Sequence, residues 1–119
     1  MNIFWAVAAG GFLGAICRFV VSNFIQSKHK KPFPFGTFAV NLIGSFFLGF
    51  LFAKHVNPLL FFFVGTGFMG AFTTFSTFEL ESMELIRNRK FLISLSYLLL
   101  STILGVILAF LGYWVGKTL

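Results

Sequence analysis

"FLISLSYLLLSTILGVILAFLGYWV", Phe91 to Val115, runs for 25 residues without one charged side chain. Crossing a bilayer as a helix takes about 20 mostly apolar residues. In hydrocarbon a single segment can satisfy its own backbone only as a helix. The run therefore predicts a membrane-spanning helix, closed by Lys117. Three more apolar runs precede it. The first extends from about Ile3 to Ile25 and ends in a basic loop holding Lys28, Lys30 and Lys31 with Pro32 and Pro34. The second, about Phe35 to Ala53, is uncharged and closes at Lys54 and His55. After a turn at Asn57 and Pro58, the third runs from about Leu59 to Phe78. Its helix is expected to continue through Glu79, Glu81 and Glu84 to Ile86, ahead of Arg87, Arg89 and Lys90. The predicted fold is an all-α membrane protein with four transmembrane helices in one unit, 1–119.

Composition agrees with that reading. Of 119 residues, 58% are hydrophobic and 10% charged, against about a quarter charged in a soluble domain. The loops are too short for a catalytic domain. No basic residue precedes Arg18 and no convincing cleavage site follows a short apolar core, so the first span is expected to be retained. Cys17, the single cysteine, can form no internal disulfide and reads as a small buried hydrophobe. His29 and His55 stand beside lysines in different loops without metal-ligand spacing, so they read as solvated. A net charge of +6 would suggest nucleic acid in a soluble protein. Here the cations gather at span ends, where they set topology and meet lipid headgroups, and no nucleic-acid partner is expected.

The polar residues inside the spans carry the functional information. Span one holds Arg18, span two Asn41 and Ser45, span three Thr66, Thr73, Thr74, Ser76 and Thr77, and span four Ser94, Ser96, Tyr97, Ser101 and Thr102. Apart from Arg18 these are neutral, and nearly all can donate a hydrogen bond. Donors without an intramembrane carboxylate suit an anion. A lone Ser or Thr in a helix usually bonds back to a carbonyl one turn earlier. That explanation weakens for "GFMGAFTTFSTF", Gly67 to Phe78, where hydroxyls and glycines crowd a dozen residues. Phe75 and Phe78, three apart, share a helix face. Stacked rings can turn their positive edges to an anion without offering it a basic residue to stick to. In a chain with 20 Phe, lipid-facing or core roles compete with that reading. One copy supplies few pore-lining groups, so an assembly is expected. Gly10 with Gly14, Gly44 with Ser45, and Gly105 and Gly112 with Gly116 allow close helix approach, either within the chain or between chains.

"GGFLGAICRF" (Gly10 to Phe19), "GTFAVNLIGSFFLG" (Gly36 to Gly49) and "GFMGAFTTFSTF" resemble, in order and spacing, the three signature blocks of the CrcB/Fluc family of small fluoride channels. Phe19 stands where an aromatic Tyr is common and Ala71 where Gly is frequent. The resemblance implies a passive, fluoride-selective channel that lets cytoplasmic fluoride leak out across the cell membrane. It implies an antiparallel dimer with two pores, and a third helix broken mid-membrane, near 67–74. The break would meet its partner around a structural sodium ion that is not transported. On this sequence the sodium carbonyls would be those of Gly70 and Thr73, glycine being suited to backbone conformations that a side chain hinders. The pore would take Phe75 and Phe78 as edge-on rings, Asn41 as amide donor, Ser76 and Thr77 as adjoining hydroxyls, and Glu81 as a vestibule carboxylate. Tyr97 and Ser101 would continue a polar track, and Arg18 would be structural, near the interface or capping carbonyls.

Other classes fit less well. A small multidrug transporter needs a carboxylate in span one, which holds Arg18 and no Asp or Glu. A structural subunit of a larger complex would use the span-three block as a packing seam. An enzyme would need a group at membrane depth to activate Ser76, and none is present. Charge counting adds a further expectation. Loops one and three hold Lys28, Lys30, Lys31, Arg87, Arg89 and Lys90, whereas the opposite side holds Lys54 and Lys117. Such a bias fixes one orientation. An antiparallel dimer would then be a heterodimer with an oppositely oriented homologue.

Overall fold

A computed structural model describes residues 2–28 and 33–119, the side chain of Asn2 excepted; His29, Lys30, Lys31 and Pro32 of the basic loop lie outside the described residues. The chain forms α1 (Asn2–Ser27), α2 (Phe35–Ala53), α3 (Pro58–Phe61), a π-helical segment (Phe62–Met69), α4 (Gly70–Phe72), α5 (Ser76–Arg87) and α6 (Phe91–Thr118). No strand occurs among the described residues. Four stretches are long and apolar enough to cross a membrane: Ile3–Ser27, Phe35–Ala53, Pro58–Arg87 and Phe91–Thr118. The second has the expected bounds, while the first and fourth run on to Ser27 and Thr118. Helical hydrogen bonding there continues past the apolar run into residues with polar side chains. At about 1.5 Å per residue, α6 is about 42 Å long, longer than a bilayer's hydrocarbon core of about 30 Å.

Local chemistry fixes the ends. Asn57 Oδ1 accepts the Leu59 N–H at 2.7 Å, and Pro58 sits at the first helical position of α3, where its missing N–H costs nothing. Gln26 Oε1, near the end of α1, accepts the Gly36 N–H at 3.0 Å, so one helix caps the start of the next across the loop. After α5, Arg89 takes a left-handed conformation (φ 60°). The N–H groups of Arg89 and Lys90 return to the carbonyls of Ile86 and Leu85 at 3.1 and 2.8 Å.

Two packed pairs dominate the tertiary structure, α2 with α6 and α1 with the π-helical segment, and smaller contacts join α1 to α2 and α5 to α6. Lipid tails are as apolar as leucine, so close van der Waals fit must hold such pairs together. Glycine supplies it. Gly49 lies against the Ala109 carbonyl and Gly112 against the Phe46 carbonyl, while Gly10 and Gly14 lie against the carbonyls of Phe63 and Phe68. A Cβ at any of these would overlap backbone, so Gly10, Gly14, Gly49 and Gly112 serve contacts inside the chain, whereas Gly105 has room for a side chain. The buried core is slender, comprising Val40, Ala53, Met69, Phe72, Leu85 and Tyr97. Large apolar side chains such as Leu92, Phe110 and Trp114 face outward. That inversion of the soluble pattern is what a lipid solvent permits.

Candidate functional site

Helical geometry lapses between α4 and α5, where Thr73 is extended (φ −84°, ψ 161°). Backbone polar groups freed at such a place need partners. Asn41 on α2 supplies them to Thr74 twice. Its Oδ1 accepts the Thr74 N–H at 2.8 Å, and its Nδ2 donates to the Thr74 carbonyl at 3.0 Å. The Thr74 hydroxyl in turn accepts the Thr77 N–H at 3.3 Å, which caps the restarting helix.

These diversions have a consequence for two carbonyls. In a continuous helix the Thr74 N–H would return to Gly70 and the Thr77 N–H to Thr73. Both donors are committed to side chains instead, so the Gly70 and Thr73 carbonyls lose their usual partners. Gly70 itself does not need glycine's conformational freedom, contrary to the sequence expectation. Its φ of −60° and ψ of −38° are ordinary helical values. An added Cβ there would meet nothing within 4 Å. The effect of the missing side chain is to leave a wall bare.

That wall belongs to an open-sided groove of about 600 Å³. It gathers Asn41, Gly70, Thr73, Phe75, Phe78 and Ser101, brought from α2, α4, α5, α6 and the segment between α4 and α5. The Phe75 and Phe78 centroids are 6.1 Å apart with planes inclined at 44°, so the rings are tilted rather than stacked. Phe75 is 71% exposed, presenting its ring to whatever covers the groove. The hydroxyls of Ser45 and Thr73 return to the carbonyls of Asn41 and Met69, each at 2.9 Å, in the ordinary local manner. Ser101 differs. Its Oγ is buried without a hydrogen-bond partner, and the residue lines the groove.

The remaining expected residues are distributed elsewhere. Arg18 and Thr77 line a separate cavity of about 200 Å³ with Ser22, Asn23, Thr37 and Thr74. The Nε of Arg18 is buried there without a partner, so this nitrogen caps no carbonyl. Ser76 is exposed at the start of α5 and lines neither cavity. Tyr97 is fully buried and does not continue a track with Ser101 along the groove. Its hydroxyl donates to Glu81 Oε1 at 3.2 Å, and its ring lies 4.8 Å from that of Phe78. Tyr97 therefore backs the Phe78 ring and ties it to Glu81. Ser94 Oγ, one turn earlier on α6, donates to the Ser82 carbonyl at 3.0 Å and fastens the same two helices.

Thr74 is the residue that sequence reasoning left out of the site. It lines both cavities and takes both bonds from Asn41. The signal was present in the Thr74-x-x-Thr77 spacing, which is that of a helix cap. Thr37, one turn before Asn41, was also missed; a single buried threonine near the start of a mostly apolar helix carries little signal.

The family model described as "CrcB-like protein, Camphor Resistance (CrcB)" matches residues 5–113. The chain belongs to the CrcB family. The resemblance of the three CrcB blocks is thereby borne out, and with four membrane-capable helices this CrcB chain is a multi-pass membrane protein. Its relatives include "Fluoride-specific ion channel FluC 2" of Bacillus thuringiensis subsp. konkukian, 47% identical over 92% of this chain and 93% of the relative. "Fluoride-specific ion channel FluC 1" of Listeria innocua is 47% identical over 95% of this chain and 96% of its own. The protein of the same name from Ligilactobacillus salivarius is 42% identical over 93% and 96%.

Proposed function

We propose that this CrcB chain is a subunit of a fluoride-selective ion channel, not an enzyme, that lets cytoplasmic fluoride run down its gradient out of the cell. The observation that carries the reading is the groove that collects Asn41, Phe75, Phe78 and Ser101, in a chain whose relatives are named fluoride-specific channels. Fluoride is small and holds water tightly, so a pore must replace that water with close donors and yet release the ion. The unpartnered Ser101 hydroxyl and the second Nδ2 hydrogen of Asn41 are such donors, and the ring edges of Phe75 and Phe78 attract weakly. Among the described residues, no lysine or arginine lines this groove to trap the anion. Ser76, exposed at the start of α5, and Glu81, bonded to Tyr97 behind Phe78, would adjoin the route outside the groove, while Arg18 and Thr77 in the separate cavity would serve the structure around Thr74.

The groove's open side, with Phe75 exposed and Gly70 bare, is the face that a second, antiparallel subunit would complete. In that dimer the lapse at Thr73 lies at mid-membrane. The Gly70 and Thr73 carbonyls, deprived of their helical donors, would meet those of the partner around a structural sodium ion. Carbonyl oxygens suit a hard cation, and irregular backbone at that depth is tolerated where protein and ion satisfy it. The sodium is not transported. Six cations in loops one and three against two on the other side favour one insertion direction, hence a heterodimer with an oppositely oriented homologue.

Liposomes loaded with fluoride test the channel. The reconstituted protein, with its partner, is expected to release fluoride electrogenically, with negligible chloride flux and no need of a proton gradient. Comparable chloride flux or obligate proton coupling would refute the proposal. Terminal-tag accessibility in intact cells tests orientation: tags reached equally from both sides, or full flux from this chain alone, would overturn the heterodimer.

A further inference from the structure

A second groove, of about 500 Å³, lies on a different face. Phe33, just before α2, and Phe35 and Phe38 at its start line it with Leu92, Ile93, Ser96 and Leu100 from the first turns of α6. The Phe33 ring packs 5.4 Å from that of Tyr97, which holds these two helix starts side by side. Its lining is almost wholly apolar, and Leu92 is 75% exposed at its edge. The α6 wall from Leu92 to Leu100 descends about 12 Å, close to the depth of one leaflet's hydrocarbon, about 15 Å.

Cations outnumber acids around the start of α6. Lys90 stands two residues before Leu92, preceded by Arg89 and Arg87, and Lys28 directly follows α1. Against these stand Glu84 in the last turn of α5 and Glu81, whose Oε1 is already bonded to the Tyr97 hydroxyl. An apolar slot one leaflet deep beneath a cluster of cations matches a lipid with an anionic headgroup.

We propose that this groove binds one acyl chain of an anionic phospholipid, with its phosphate headgroup held at Lys90 and Arg89. The bound lipid seals the seam between α2 and α6 at the membrane surface and is retained when bulk lipid is exchanged. A zwitterionic lipid shares the acyl chains but lacks the net charge, so the two are distinguishable.

The test uses the full-length protein in vesicles of phosphatidylcholine containing spin-labelled phosphatidylglycerol or, separately, spin-labelled phosphatidylcholine. The motionally restricted fraction of each label is the readout, which does not depend on fluoride flux. Wild type is expected to restrict the anionic label preferentially. Lys90→Gln and Arg89→Gln should each lower that preference by about five-fold, the effect of one cation near a charged lipid. Ser96→Trp, which fills the groove from an exposed position, should remove the preferentially restricted lipid in protein that remains folded by circular dichroism. Should it disturb assembly, Leu92→Trp at the groove's edge provides the same test. Equal restriction of both labels, or preference unchanged in all these variants, would overturn the proposal and reduce the contact to ordinary annular lipid. Density from a second protein chain in this groove in a structure of the assembly would overturn it as well.

Discussion

Replacing Asn41 with Ala removes both bonds that hold the segment between α4 and α5, the acceptor at 2.8 Å and the donor at 3.0 Å. Hydrogen bonds between membrane helices average about 0.6 kcal/mol and reach about 1–2 kcal/mol in model peptides. Truncation also leaves the Thr74 N–H and C=O without protein partners, although the adjoining groove gives water some access. The expected loss is therefore about 1–3 kcal/mol. Asn41→Asp keeps an acceptor for the Thr74 N–H but sets a carboxylate oxygen against the Thr74 carbonyl, so it should fail to restore stability. Ser45→Ala is the control. The Ser45 hydroxyl only returns to the Asn41 carbonyl, and its loss should stay within about 0.5 kcal/mol. Denaturation in mixed micelles, followed by the fluorescence of Trp5 and Trp114, measures the differences. Hydrogen exchange at the Thr74 amide should quicken in Asn41→Ala. A stability within about 0.5 kcal/mol of wild type, with unchanged exchange at Thr74, would refute the clamp.

The remaining predictions concern the groove, the ion and one turn. Phe75→Ile should sharply reduce fluoride flux with little loss of fold stability, because the Phe75 ring is exposed within the single chain; wild-type flux would return the ring to an ordinary lipid-facing role. Phe78→Ile should reduce flux too and also cost about 0.5–1.5 kcal/mol through its lost contact with Tyr97, read in the same denaturation assay. Exhaustive removal of sodium should abolish flux without sodium being carried by the channel, and full activity in sodium-free buffer would count against the carbonyl site. Arg89→Gly should stabilise the turn after α5 by about 0.5–1 kcal/mol, since its left-handed conformation penalises a Cβ; a lower denaturation midpoint would contradict that.

The sequence by itself determined the solvent and the number of membrane-spanning stretches. Bilayer thickness imposes a length, and runs such as Phe35 to Ala53 meet it so cleanly that the helix bounds coincide with those read from composition. It also exposed the block around Thr73, because hydroxyls and glycines are out of place in hydrocarbon unless something meets them. Tertiary structure decided what meets them. Asn41 is 33 positions from Thr74, and no local pattern records that the oxygen and nitrogen of its side-chain amide would pair with one residue's N–H and C=O. The same folding step divided the expected site, sending Ser101 to the groove, Tyr97 behind Phe78, and Arg18 with Thr77 to a separate cavity. Periodicity tells which residues share a helix face, but the partner of that face depends on how the helices pack. Here glycines such as Gly49 and Gly112 set that packing by letting backbones touch.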